Sequence, residues 1–266
     1  MLGRIETAVP RERPRVRPRP LGAEPALTGL HPVREALRAR RRALRRLVLL
    51  GAPRAEWEEL GNLARDAGVP VVEAGSEPRS SAAGPAPWVR LEAGSLPELG
   101  LEALLAEVRG REVRLVALDG VEDPQNVGAI ARVAEAAGAS GLVLTRRHAP
   151  PLSDAVSRAS AGAIEWLPVT RVPNLSRALR ALKEAGVWSI GADPDAPVDL
   201  FSAPDAWLRG PSVLVLGSEG EGIRRGVLET LDHRVRIPML GRVASLNVSA
   251  ASAVLLYEIR RRSLAP

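Results

Sequence analysis

The sequence predicts an α/β protein, a largely parallel sheet covered on both faces and preceded by a smaller α/β unit. Three observations point there. From residue 113 onward, short and nearly continuous apolar runs recur, such as VRLVALDG, SGLVLT and SVLVLG, the signature of strands buried on both faces. Helix-length amphipathic segments separate them, as in repeated βαβ units. The chain has 266 residues and is 45% hydrophobic, enough for two cores.

The elements follow in order. Residues 1–20 carry six arginines against two glutamates, with several prolines, so residues 1–24 are expected to form a disordered basic tail. Residues 25–108 read as the small unit. Its pattern is helix PVREALRARRRAL, strand RLVLL, helix AEWEELGNLARDAG and strand VPVVEA, then a Gly/Pro/Ser loop over 75–87. Strand WVRLE and helix LPELGLEALLAEVRG complete it. Residues 109–266 form the larger unit. Its strands are VRLVALDG, SGLVLT, EWLPVT, VWSIGA, SVLVLG and HRVRIPM. Its helices are VGAIARVAEAAG, LSDAVSRASAG, NLSRALRALKEAG, GIRRGVLETL and NVSAASAVLLYEIRRR.

Composition narrows the function. Lys and Arg number 37 against 31 Asp and Glu. The excess clusters in the tail, in RARRRALRR (Arg38 to Arg46) and in Arg260–Arg262, and such runs attract phosphate backbones. Arg38, Arg40, Arg41 and Arg42 are therefore candidate RNA contacts; the competing reading is arginine-rich usage on solvated faces. Aromatics are only 3%, which argues against base-stacking platforms. With no cysteine, disulfides, thiolate zinc sites and cysteine nucleophiles are excluded. His31, His148 and His233 form no ligand-spaced pair, so no metal site is expected. No apolar run reaches the ~18 residues that span a bilayer, and the basic N-terminus lacks the apolar stretch of a secretory signal. A cytoplasmic protein is expected, and the sequons at Asn174 and Asn247 are read as unglycosylated.

Ligands of open parallel sheets bind beyond the strands' carboxyl ends, and three loops there carry unusual residues. In LDGVEDPQNVGAIARVAEAAG, Asn126 reads as a helix N-cap and Arg132 lies under two turns further on. In VLVLGSEGEGIRRGVLE, buried strand residues run into Gly217-Ser218-Glu219-Gly220-Glu221-Gly222. Glycines there allow close backbone approach. The loop lacks the Lys-Ser/Thr of a phosphate loop, and Arg225 stands where a dinucleotide fingerprint needs glycine. Its two acids favour a cationic or neutral ligand. In the third loop, IPM leads through LGRVA to Asn247, a second N-cap candidate. Val248, Ala251, Leu255, Leu256 and Ile259 share one face of the helix that follows, and its first turns are slim.

Together DPQNVGAIARVAEAAG, LVLGSEGEGI and IPMLGRVASLNVSAASAVLL resemble, in that order, the three motifs of the SpoU (TrmH-type) branch of the SPOUT methyltransferases. The small unit, beginning GLHPVREAL, resembles the L30e-like substrate-binding domain of that family's ribosomal RNA members. Where those members often carry His-Gln-Gly, this chain reads PAPWVRLEAG. The resemblance implies S-adenosylmethionine as cofactor and 2′-O-methylation of RNA, with a guanosine of large-subunit ribosomal RNA as the expected target. It also implies a C-terminal trefoil knot and a homodimer with active sites at its interface. By the same resemblance Asn126, Arg132, Glu219, Ser245 and Asn247 form the catalytic group. Leu216, Gly217, Gly222, Ile237, Met239 and Leu246 hold the cofactor, Arg132 also meets RNA, and no metal takes part. Two other readings stand beside it: a transfer RNA methyltransferase, and an RNA-binding assembly factor without activity. The added N-terminal unit and the short tail after the third motif speak against the first. The intact polar set speaks against the second.

Overall fold

A computed structural model describes residues 25–51, 54–75, 88–243 and 245–264. The expected basic tail, and residues 76–87 of the expected loop, lie outside the described residues.

The first sheet has the order β1-β4-β2-β3. Its chain runs through β1 (Ala26–Thr28), α1 (Leu30–Ala39), β2 (Leu44–Leu50), α2 (Glu56–Asp66), β3 (Val71–Ala74) and β4 (Val89–Ala93). Only β2 and β3 pair in parallel. Leu37, Leu47, Leu49, Leu60 and Leu91 form its core, about 1.5–3 kcal/mol of burial free energy for each such side chain. Helix α1 stops earlier than its sequence suggests. Arg40 turns left-handed at φ 51°, and residues 41–43 cross to the next strand.

The second sheet is wholly parallel, in the order β11-β9-β10-β6-β7-β8-β5. It is built from β5 (Glu98–Leu99), α3 (Leu101–Val108), β6 (Arg114–Asp119), α4 (Pro124–Ala136), β7 (Gly141–Thr145), α5 (Asp154–Ala159), β8 (Val169–Val172), α6 (Leu175–Glu184) and β9 (Trp188–Ala192). It continues through α7 (Asp205–Leu208), β10 (Ser212–Gly217), α8 (Arg225–Leu228), β11 (His233–Val235) and α9 (Val248–Leu264). Successive side chains of β6 point to opposite faces. Val116 and Leu118 pack with Ile130 and Leu255 on one side, Leu115 and Ala117 with Leu179 on the other. Both faces being covered is why this strand reads as an unbroken apolar run.

Several expected boundaries move. Glu98 and Leu99 pair with β8, and α3 packs into the second core. These residues, expected in the 25–108 unit, thus join the second sheet and its core. The EWLPVT strand begins only at Val169, because Glu165 closes a 3-10 turn, Ala163–Glu165, and is fully buried. GIRRGVLETL keeps four helical residues, Arg225–Leu228, and HRVRIPM keeps three in a strand, His233–Val235.

The two units meet on charges that the sequence offered to RNA. Arg42 donates to both Glu165 oxygens, at 2.9 and 2.7 Å, with side-chain exposures of 4% and 0%. Burial pushes the Glu165 carboxyl up, and Arg42 and Ser157 partly counter it. Arg41 donates to the carbonyls of Glu165 and Leu167. Thr28 donates from its amide and hydroxyl to Asp154, both at 2.7 Å, and Trp166 Nε1 donates to Glu35 at 2.9 Å. Arg38 pairs with Glu35 and Glu59, and the Arg40 side chain turns back to the Leu37 carbonyl. Arg42 is therefore a seam residue whose desolvated guanidinium is held by Glu165 and the Gly94 carbonyl, and Arg41 is half-buried with one of its nitrogens given to the seam. Arg38 and Arg40, too, are turned onto their own chain.

Helix α9 is fixed at its far end. Arg262 donates to the carbonyls of Leu200 and Phe201 and to Asp205, and Glu258 accepts from Arg261 and Arg262. The Arg261 hydrogen bond leads in holding the Glu258 carboxyl down to about 2.

Candidate active site

The three loops converge at the carboxyl ends of β6 and β10 and the start of α9. Asn126 Nδ2 donates to Glu219 Oε1 at 3.1 Å. Asn247 Nδ2 donates to Asn126 Oδ1 at 3.1 Å and also to Glu219. Residues 93 and 121 positions apart in the chain therefore share one polar cluster.

Local structure explains each placement. The N-cap of α4 is Asp123, whose Oδ1 accepts from Gln125 N at 2.9 Å, with Pro124 next. Proline suits that position because its missing N–H has no partner there anyway. Asn126 is thus the third helical residue rather than the cap, and its side chain is left for Glu219. Asn247 does cap α9: its Oδ1 accepts from Ser249 N at 2.9 Å. That fixes the amide so that Nδ2 points at the other two. At Gly128, a Cβ would stand 2.4 Å from Ala159 Cβ, so glycine lets α4 and α5 close together.

The glycine-rich loop folds back on itself through paired Ser218 and Gly222 backbone bonds of 3.0 and 3.1 Å. A Cβ on Gly217 would lie 2.0 Å from the Gly222 carbonyl carbon. Here the loop's own closure requires glycine. Gly222 sits at φ +67°, a left-handed conformation that glycine adopts without cost.

Beside the cluster lies a cleft of about 650 Å³. Leu216, Gly217, Gly222, Ile237, Met239 and Leu246, six residues scattered over 31 positions, all line it. Ser245 lines the cleft too and makes no bond within the polar cluster. On the other side of Asn126 and Glu219 is a second hollow of about 550 Å³, bounded by Gly120, Glu122, Asp123 and His148. His148 Nδ1 lies 2.7 Å from Glu122.

Arg132 is not brought in. It stands exposed on α4 with no hydrogen bond or ion pair among the described residues. Sequence reasoning missed Asp119. This fully buried carboxylate accepts from Arg224 N and Nε at 2.9 Å and so ties the glycine loop's exit to the end of β6. The hydrogen bond donated to Asp119 raises the Arg224 guanidinium above its ordinary range. An acid closing the apolar run LVAL was the available signal.

An open parallel sheet with polar side chains from three carboxyl-end loops gathered at the rim of a cleft defines an α/β protein built to bind a ligand at that edge. The sequence profile described as the SpoU rRNA Methylase family matches residues 114–257, and the chain belongs to that family. A curated relative, the 23S rRNA (guanosine-2′-O-)-methyltransferase RlmB of Ralstonia nicotianae, is 46% identical over 169 residues. That match covers 63% of this chain and 66% of the relative, so it spans just under two thirds of the relative's length. Solved structures extend the likeness. The SpoU methyltransferase AviRb of Streptomyces viridochromogenes superposes with a TM-score of 0.75 at 25% identity, over 91% of this chain and 90% of that one. An AdoMet-bound rRNA methyltransferase of Sinorhizobium meliloti gives 0.72 at 27% identity, over 90% and 88%. Both likenesses cover the first unit as well as the second.

Proposed function

We propose that this chain is an S-adenosylmethionine-dependent methyltransferase acting on a ribose 2′-hydroxyl, at a guanosine of 23S ribosomal RNA in the cytoplasm. The observation that carries the reading is the convergence of Asn126, Glu219 and Asn247 on the rim of the cleft lined by all six cofactor candidates. The activity named for the Ralstonia relative and the cofactor named for the Sinorhizobium structure support it.

The cleft fits the cofactor's chemistry. Leu216, Ile237, Met239 and Leu246 offer apolar surface to an adenine, and Glu221 offers a carboxylate to a cationic end. When bound, S-adenosylmethionine supplies an electrophilic methyl group. The residues then have to position the hydroxyl and handle its proton. Glu219 accepts hydrogen bonds from two side-chain amides, and a carboxylate has further lone pairs for a ribose hydroxyl. That makes it the group to orient the nucleophile and take its proton. Asn126 and Asn247 hold the carboxylate in place, and positioning of two substrates supplies much of the rate.

The active unit of this reading is a homodimer. Arg132 is exposed and unpaired among the described residues, and Leu240 and Val243 on the third loop are 99% and 69% exposed. A second copy covers these apolar side chains and brings its own Arg132 to the cluster, where a guanidinium stabilises the developing alkoxide and a neighbouring phosphate. The knot implied by the family fits a chain that leaves β11 at one sheet edge and returns in α9 against α4.

Mapping 2′-O-methyl groups in ribosomal and transfer RNA, with and without this protein, tests the proposal. Loss of one 23S guanosine methyl group is the expected result. Loss confined to transfer RNA, or no loss, overturns it.

A further inference from the structure

The basic run expected to grip RNA gives Arg41 and Arg42 to the seam and keeps Arg38 and Arg40 exposed, and a second exposed basic pair stands closer to the polar cluster. Attention falls on the loop after β7. Its Arg146, Arg147 and His148 are exposed, and among the described residues neither arginine side chain has a hydrogen bond or ion pair. The loop separates two hollows. His148 borders the one beside Asn126 and Glu219. Arg146 borders a groove of about 860 Å³ between the two units, which Arg171 and Asp154 also line.

This loop is braced. Arg171 donates Nη1 to the Thr145 carbonyl at 3.3 Å and Nη2 to the Pro150 carbonyl at 2.6 Å. Its Nε donates to Glu98 at 2.7 Å, so one guanidinium spans both ends of the loop and is itself anchored. Thr145 Oγ1 donates to the Arg147 carbonyl, and Arg146 N donates to Val172 at 2.9 Å. A chain segment already held in one shape loses less freedom on binding.

We propose that Arg146 and Arg147 form a ridge that grips the ribose-phosphate backbone of substrate RNA. It would lead a single strand from the target nucleotide's hollow over to the interunit groove. The inference rests on the RNA reading above and adds the surface that meets the phosphates. Charge divides the two tasks. Glu122, Asp123, Glu219 and Glu221 border the nucleotide hollow and repel phosphate, while accepting hydrogen bonds from ribose and base. The two arginines next to it are unneutralised.

The test compares full-length wild type with R146A/R147A and with a control, R109A/R111A. The control removes the same charge near the strands' amino ends, where Arg111 precedes β6. Binding of a 23S fragment carrying the target guanosine is measured over a salt series, together with S-adenosylmethionine affinity. For the ridge variant we expect the slope of log affinity against log salt to flatten by about 1.4, at ~0.7 per single-strand phosphate. Affinity for RNA should fall about tenfold or more, with cofactor affinity retained. The control slope should not change, and R146K/R147K should recover most of the binding. An unchanged slope in the ridge variant, or equal flattening in the control, overturns this inference alone if the wild type binds and methylates the fragment. A wild type that neither binds nor methylates RNA overturns the proposed function along with it.

Discussion

Arg42 and Arg132 are the same residue type in two regions, and the structure uses them in opposite ways. Arg42 is desolvated at the seam and fully engaged by Glu165. Arg132 stands in solvent on α4 with no partner among the described residues. The difference is one of availability. A charge already neutralised inside the fold organises structure, whereas a charge left open at the rim of a site can act on a substrate. Local charge density in the sequence reports neither.

Removing one partner at the seam should give the largest effect. Arg42→Ala leaves Glu165 buried without its cation, which typically costs about 3–5 kcal/mol. Chemical denaturation should show that loss. The sign with pH follows from burial. Glu165 already titrates above the ordinary carboxyl value of 4.5, and without Arg42 it rises further, so the folded variant holds a proton the unfolded chain releases. Its deficit should be small below pH ~4.5 and grow as pH rises towards neutrality. Replacing both partners, as Arg42→Met with Glu165→Leu, should be nearly neutral. A double variant as unstable as Arg42→Ala would show that the pair does more than cancel its own desolvation.

Arg132→Ala should instead leave stability within about 0.5 kcal/mol and lower the methyl-transfer rate by about 10²–10³-fold, the usual cost of one electrostatic stabiliser. Cofactor binding, by calorimetry, should persist. Mixing Arg132→Ala subunits with Glu219→Gln subunits sharpens the point. If Arg132 acts across the dimer, one of the two sites in each hybrid is intact and activity returns. Hybrids as inactive as either parent would place Arg132 and Glu219 in the same subunit's site.

What could be read in advance divides along the same line. The β6, β7 and β10 runs and the three loop motifs were legible, because burial on two faces and glycine-dependent closure leave local marks. The fate of Arg41 and Arg42 was not, because their partner lies about 123 residues away and nothing local marks a residue that will meet it. Residues 98–99 were hidden for a similar reason: a two-residue edge strand inside a helical pattern exists only because β8 is there to pair with it. The Arg146–Arg147 ridge is likewise a product of the Arg171 brace, which no spacing rule announces.

The smallest expected effect tests the corrected start of α4. Both Asp123 and Asn126 are cap-type residues, and only the bond from Gln125 N to Asp123 decides between them. Asp123→Ala should cost about 1 kcal/mol of stability. It should also slow methyl transfer a few-fold, because the first turn of α4 aims Asn126 at Glu219. Asn126→Ala should do the reverse, with little loss of stability and a larger loss of rate, since among the described residues its amide bonds only to Glu219 and Asn247. Thermal melts paired with single-turnover rates would separate the two. If Asn126→Ala lowers the melting temperature more than Asp123→Ala does, the cap lies at Asn126 after all, and Glu219 loses one of its two holders.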